Sequence, residues 1–209
     1  MKLQNTAILI ILLFITGCGM KSKQGLIKNY EENKTGIIEL KDYYNGLVPK
    51  YYRVRIRYNS SDDIDLIVYQ PTENTEKREL LFRQWNLDLD DYDPEPQTDY
   101  EKKYHGNTNS LEIVMEKLNW TNETIAELYN KLDDVNCIGI SNWNPTEIEY
   151  GYKGMGVFSY LVFDENSNSE LQEKYSDGCT QMFYKDNIVL SYASGAIGSL
   201  CTPEFKRAK

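Results

Sequence analysis

Tyr51-Tyr52-Arg53-Val54-Arg55-Ile56-Arg57-Tyr58 alternates cleanly, with Tyr52, Val54, Ile56 and Tyr58 on one side of an extended chain and Arg53, Arg55 and Arg57 on the other. A period of two marks a strand with one buried face. Asn59-Ser60-Ser61-Asp62-Asp63 is turn chemistry, after which Ile64, Leu66 and Val68 resume the apolar row. The register that keeps core against core sets Ile56 opposite Leu66, Val54 opposite Val68 and Arg57 opposite Asp65. A slip of one residue would bring the arginines onto the apolar row, so the pairing is strongly specified. Residues 80–89 alternate again, Leu81, Trp85, Leu87 and Leu89 sharing a face, and extend the hairpin into a three-stranded meander.

Upstream, Ile37, Leu40, Tyr44 and Leu47 recur at helical spacing until Pro49 stops the helix. Downstream, Leu111, Val114, Met115 and Leu118 form one helical stripe. After Thr121 as N-cap, Ile125, Leu128 and Leu132 form another. Strand-like runs follow at 137–141, 148–152, 157–163, 180–184 and 188–192, the last two joined by the short turn Lys185-Asp186-Asn187. The expected class is α+β: antiparallel sheets with a few packed helices over residues 36–209. The recurrence of helix then strands divides that span into two candidate units, 36–107 and 108–209.

Composition narrows the function. The chain has 209 residues, a net charge of −9 and 17 tyrosines. An acidic surface excludes nucleic acid as a partner, because affinity there comes from Lys and Arg displacing phosphate counterions. No cofactor is expected. Neither Gly151-Tyr152-Lys153-Gly154-Met155-Gly156 nor residues 195–198 match a dinucleotide or phosphate-loop fingerprint, so these glycines read as tight turns.

The N-terminus carries one charge, Lys2, then the apolar run 7–15, which is too short to span a bilayer and reads as the core of an export signal. It ends in Ile15-Thr16-Gly17-Cys18, which resembles the lipobox of bacterial lipoproteins. That resemblance implies that residues 1–17 are removed and that Cys18 is acylated, so that membrane lipid is the first partner. It places the protein in the cell envelope, with Gly19 favouring the outer membrane if the host has one. Removal of 1–17 takes away one basic residue and no acid, shifting the net charge from −9 to −10. Residues 18–35, polar and lysine-rich at Lys21 and Lys23, read as a lipidated tether. The second half, about 120–201, is similar to uncharacterised envelope lipoproteins of Bacteroidetes-type bacteria. Asn136-Cys137-Ile138-Gly139-Ile140, Gly154-Met155-Gly156-Val157-Phe158-Ser159-Tyr160, Asp177-Gly178-Cys179-Thr180 and Gly195-Ala196-Ile197-Gly198-Ser199-Leu200-Cys201 carry the likeness, which implies no activity.

Outside the cytosol, three remaining cysteines imply one disulfide and one buried thiol. Cys179–Cys201 is the preferred pair, since it would staple the C-terminal segment to the strand beginning near Thr180; three independently buried thiols are the alternative. Asp88, Asp90, Asp91 and Asp93 form the densest set of oxygen ligands, a weak calcium candidate. Pro94 stands where a calcium loop needs glycine, and a solvated loop is the simpler reading. Ser-His-Asp catalysis has only His105 to draw on. The row Arg53, Arg55, Arg57 is the candidate binding feature, able to grip a carboxylate-bearing partner, against a competing reading of cross-strand pairing with Asp65 and nearby acids. Trp85, Trp120 and Trp143 are candidate sugar platforms, although Trp85 and Trp120 sit in core patterns. The expected function is a non-catalytic module that binds a protein or glycan partner. The rivals are a hydrolase working with paired carboxylates on glycans and an inhibitor or immunity-type protein.

Overall fold

The computed structural model describes residues 21–72, 77–92, 110–166, 168–194, 201 and 205. In chain order the elements are α1 (Lys23–Leu47), β1 (Arg53–Tyr58), β2 (Asp63–Pro71), β3 (Arg78–Asp88), α2 (Leu111–Leu118), α3 (Asn122–Asp134), β4 (Gly139–Ser141), β5 (Thr146–Lys153), β6 (Gly156–Val162), α4 (Ser169–Lys174), β7 (Gln181–Lys185) and β8 (Ile188–Ser194). The strands form one antiparallel sheet in the order β3-β2-β1-β4-β5-β6-β8-β7, and the fold is α+β as expected. The two candidate units share this sheet. β1 joins β4 through Arg55↔Ser141, Ile56↔Ile140 and Arg57↔Gly139, so the meander of the first half continues into the second.

Ile56↔Leu66, Val54↔Val68 and Arg57↔Asp65 pair as the alternation demands, and Val54, Ile56, Ile64, Leu66 and Val68 are fully buried. β3 departs from its expected pattern. Its pairing with β2 shifts register between Val68 and Tyr69 and again between Ile64 and Leu66, and Asn86 adopts φ 51°. Each β-bulge inserts a residue and resets which side chain faces inward. Leu81 and Leu87 therefore stay in the core while Trp85 turns outward, 41% exposed, which corrects its reading as a core residue.

The expected tether is also corrected, because α1 begins at Lys23 and not near Ile37. Ser22 caps it by accepting the Gly25 N–H at 3.0 Å, and Leu26 and Tyr30 are fully buried. A non-helical step at Asn33 bends the helix, and Leu26 and Tyr30 continue toward the N-terminus the stripe that Ile37, Leu40 and Tyr44 form at helical spacing. Asn29 anchors the first half, donating to the Val135 carbonyl at 2.9 Å and to the Tyr160 hydroxyl at 3.1 Å, while accepting from Asn33 and Asn136. Tyrosines tie the helical layer to the sheet with their polar tips: Tyr160 donates to the Leu26 carbonyl at 2.8 Å, Tyr44 to Val54 at 3.1 Å and Tyr58 to Ile125 at 2.7 Å. A tyrosine brings a large apolar surface and one hydroxyl to satisfy, which is the use this fold makes of them.

α2 and α3 bury Val114, Leu118, Ile125, Leu128 and Leu132 along the expected stripes, and Thr121 caps α3 in a capping box with Thr124. Trp120, between these helices, is core as expected and donates to the Leu47 carbonyl. Gly154, at φ 59°, and Met155 form the two-residue β5–β6 turn. Cys179 is bonded to Cys201, and Cys137 is a buried free thiol whose pKa burial pushes up to about 12. A thiol titration of the Cys18→Ser chain should accordingly find none reactive in the native state and one after denaturation; a second thiol after denaturation would dissolve the pairing. Among the described residues no helix is long and apolar enough to cross a membrane.

Candidate functional site

The sheet face opposite the helices carries the arginine row, and the structure divides that row in two. Arg57, Gly139 and Glu149 stand side by side on β1, β4 and β5. A Cβ on Gly139 would lie 2.9 Å from the Ile56 carbonyl oxygen and 3.2 Å from the Arg57 Cα, so only glycine fits between these strands. Across that gap Arg57 Nε donates to Glu149 Oε2, and Arg55 donates to Glu149 Oε1 through Nε at 2.8 Å and Nη2 at 2.6 Å. Asp65 lies 3.6 Å from Arg57 Nη1, and the Tyr152 ring is 5.0 Å from the guanidinium carbon. Burial opposes the charge of Arg57, but the hydrogen bond and charge of Glu149 outweigh it and hold the guanidinium pKa above its usual range. Both oxygens of Glu149, itself only 2% exposed, are thus engaged with arginine. Arg55 and Arg57 serve an internal ion-pair network. This is the cross-strand pairing that competes with a role in binding.

Glu147, two residues along the same strand face, accepts from the Ser159 hydroxyl at 2.8 Å. Burial, and then the charge of Glu149, raise its pKa above the usual carboxylate range. A carboxyl group with a raised folded pKa contributes stability below its unfolded value and loses it as pH rises through the folded one. Glu147→Gln keeps an acceptor for Ser159 and removes this penalty. Thermal melts from pH 4 to 8 should show the variant gaining on the wild type as pH rises; parallel curves would refute the assignment.

Arg53 has a different environment. Among the described residues it makes no ion pair; it donates only to the Tyr52 carbonyl at 3.2 Å, and burial followed by repulsion from Arg78 lowers its pKa. It lines a cleft of about 390 Å³ at the end of α1, together with Asn45, Lys50, Tyr51, Trp143, Asn144, Thr146 and Asp164. Two exposed rings flank this cleft. Trp143 is 38% exposed and meets Tyr69 edge-on at 5.7 Å, and Tyr69 is the direct cross-strand neighbour of Arg53. Tyr51 is 43% exposed and holds φ 74° in the turn that Tyr52 N–H closes on the Pro49 carbonyl. That third turn position ordinarily calls for glycine, and a tyrosine there costs roughly 1–3 kcal/mol. Asn142 fixes the floor, accepting from Val54 N–H at 2.8 Å and donating to the Tyr52 carbonyl at 3.0 Å. Asp164 pairs with Lys41 at 2.7 Å, a lysine that Asp42 shares at 3.3 Å, and Lys50 and Arg53 bring two positive charges to the cleft.

The other candidates separate. Asp88 turns its carboxylate inward on its own loop, accepting from the N–H groups of Asp90 and Asp91 at 3.0 and 3.1 Å. Asp93 and His105 lie outside the described residues, as do Cys18 and the signal segment; among the described residues no three His, Cys, Asp or Glu side chains converge as metal ligands. Sequence reasoning missed Glu147 and Glu149, although Glu147-Ile148-Glu149 alternates as a strand with an acidic outer face. It also missed Tyr51, whose only signal was its place two residues after Pro49. No protein-family model, curated protein or solved structure matches the chain with significance.

Proposed function

We propose that the protein is a lipoprotein held in the cell envelope through an acylated Cys18, in the outer membrane of a host that has one, and that its α+β domain is a binding module using the Tyr51–Trp143 cleft. The supporting observation for binding is Tyr51: a side chain kept in an unfavourable backbone conformation that places its ring in solvent beside an arginine that makes no ion pair among the described residues. Strain of this kind persists where the side chain is needed for something other than the fold.

The position of the cleft suits an anchored protein. Lys21 lies against Tyr150 with its ammonium 4.0 Å from the ring centre, and three residues from Cys18 reach at most about 11 Å. The domain therefore rests close to the lipid surface, with no long tether. The 25 residues of α1 rise about 37 Å from that end to the cleft, which then faces away from the membrane. Metabolic labelling with a radioactive fatty acid tests the anchor: the wild-type protein should be marked and Cys18→Ser unmarked. Titrating the full chain with panels of sugars and acidic peptides tests the module, by a change in tryptophan emission that Trp143→Phe abolishes. A panel with no response, or one indifferent to that substitution, would overturn the reading. Release of reducing ends from a glycan, lost in Glu147→Gln, would support the hydrolase alternative instead.

A further inference from the structure

We propose that the cleft beside α1 binds a carboxylate-bearing saccharide, its acid group on Arg53 and its ring face on Trp143 and Tyr51; this rests on the binding reading above. Three features define the ligand. First, among the described residues, Arg53 and Lys50 bring two cations to a cleft whose one acid, Asp164, pairs with Lys41, while Arg53 makes no ion pair. A partly buried guanidinium repelled by its neighbour Arg78 calls for an anion, and a carboxylate matches its planar fork. Second, the two flanking surfaces are exposed aromatic rings, rigid and amphipathic. The C–H face of a pyranose supplies the apolar area to cover them, and its hydroxyls meet the amide of Asn144 at the rim. Third, the backbone near the cleft is occupied: Asn142 satisfies Val54 N–H and the Tyr52 carbonyl, and Arg78 donates to the Tyr51 carbonyl at 3.1 Å. A peptide that binds as an added strand needs free main-chain groups, which these are not. The volume, about 390 Å³, is that of a small-ligand site.

Isothermal titration of the full chain in detergent with α-1,4-trigalacturonate, neutral galactotriose and tri-aspartate tests this. Trigalacturonate should bind at least about tenfold more tightly than galactotriose, a difference of ~1.4 kcal/mol. Arg53→Ala and Trp143→Ala should each weaken it by about as much. Tyr51→Gly separates the site from folding: it relieves the turn, so the melting temperature holds or rises, while affinity falls. Equal binding of acidic and neutral sugars overturns the carboxylate assignment. Tri-aspartate binding through Arg53 and Trp143, without any sugar binding, overturns the saccharide and leaves the module reading standing. Silence from all three probes, or binding indifferent to both alanine variants, overturns the saccharide proposal, and the broader panels then decide the module reading alone.

Discussion

Glu149→Leu should destabilise the domain by about 3–5 kcal/mol, the cost of leaving a buried charge without its partner. The carboxylate is 2% exposed and takes hydrogen bonds from both Arg55 and Arg57. Without it Arg57, 8% exposed, keeps Asp65, whose carboxylate is 3.6 Å away, and the face of the Tyr152 ring. Arg55, more open to solvent, contributes less to the loss. For a domain of this size each kcal/mol moves the melting temperature by about 2–4 °C, so the variant should melt roughly 6–20 °C lower. Replacing Arg55 and Arg57 by apolar residues and Asp65 by asparagine in the same chain should recover most of the deficit, since the penalty belongs to the orphaned charges. A Glu149→Leu protein melting within 1–2 °C of wild type would mean that this network is solvated.

Leu26→Ala should cost about 2–5 kcal/mol, because the leucine is fully buried beneath the first half of α1. A tether residue would give a change within about 0.5 kcal/mol. Lys28→Ala supplies the control on the same helix: its side chain is 75% exposed and among the described residues pairs only with Glu32, so its melting temperature should stay near that of wild type. Equal, small effects at both positions would return the segment to a tether and move the domain away from the lipid surface.

What was legible in the chain was local. The β1–β2 register followed from alternation because a single slip exposes an entire apolar row, and the caps and stripes of α2 and α3 lie within one or two turns of sequence. Trp85 was misplaced because a β-bulge leaves no mark on a period-two pattern. The start of α1 was hidden because Leu26 and Tyr30, although at helical spacing with Ile37, stand in a polar, lysine-rich stretch that looks unstructured. The division of the arginine row could not be read at all. It depends on β4 inserting Gly139 between β1 and β5, a non-local ordering that brings Glu149 to residues more than ninety positions away. The cleft was missed for a related reason, since Tyr51, Arg53 and Trp143 meet only once β1 and the loop after β4 are side by side.

The functional account turns on three adjacent arginines having two different fates, and guanidinium Nε–H exchange measured by NMR reports each one separately. Arg55 and Arg57 should exchange slowly in the free protein and ignore added trigalacturonate, whereas Arg53 should exchange fast and slow down when the sugar is added. Three arginines exchanging alike, or a ligand response at Arg55 and Arg57 with none at Arg53, would contradict it.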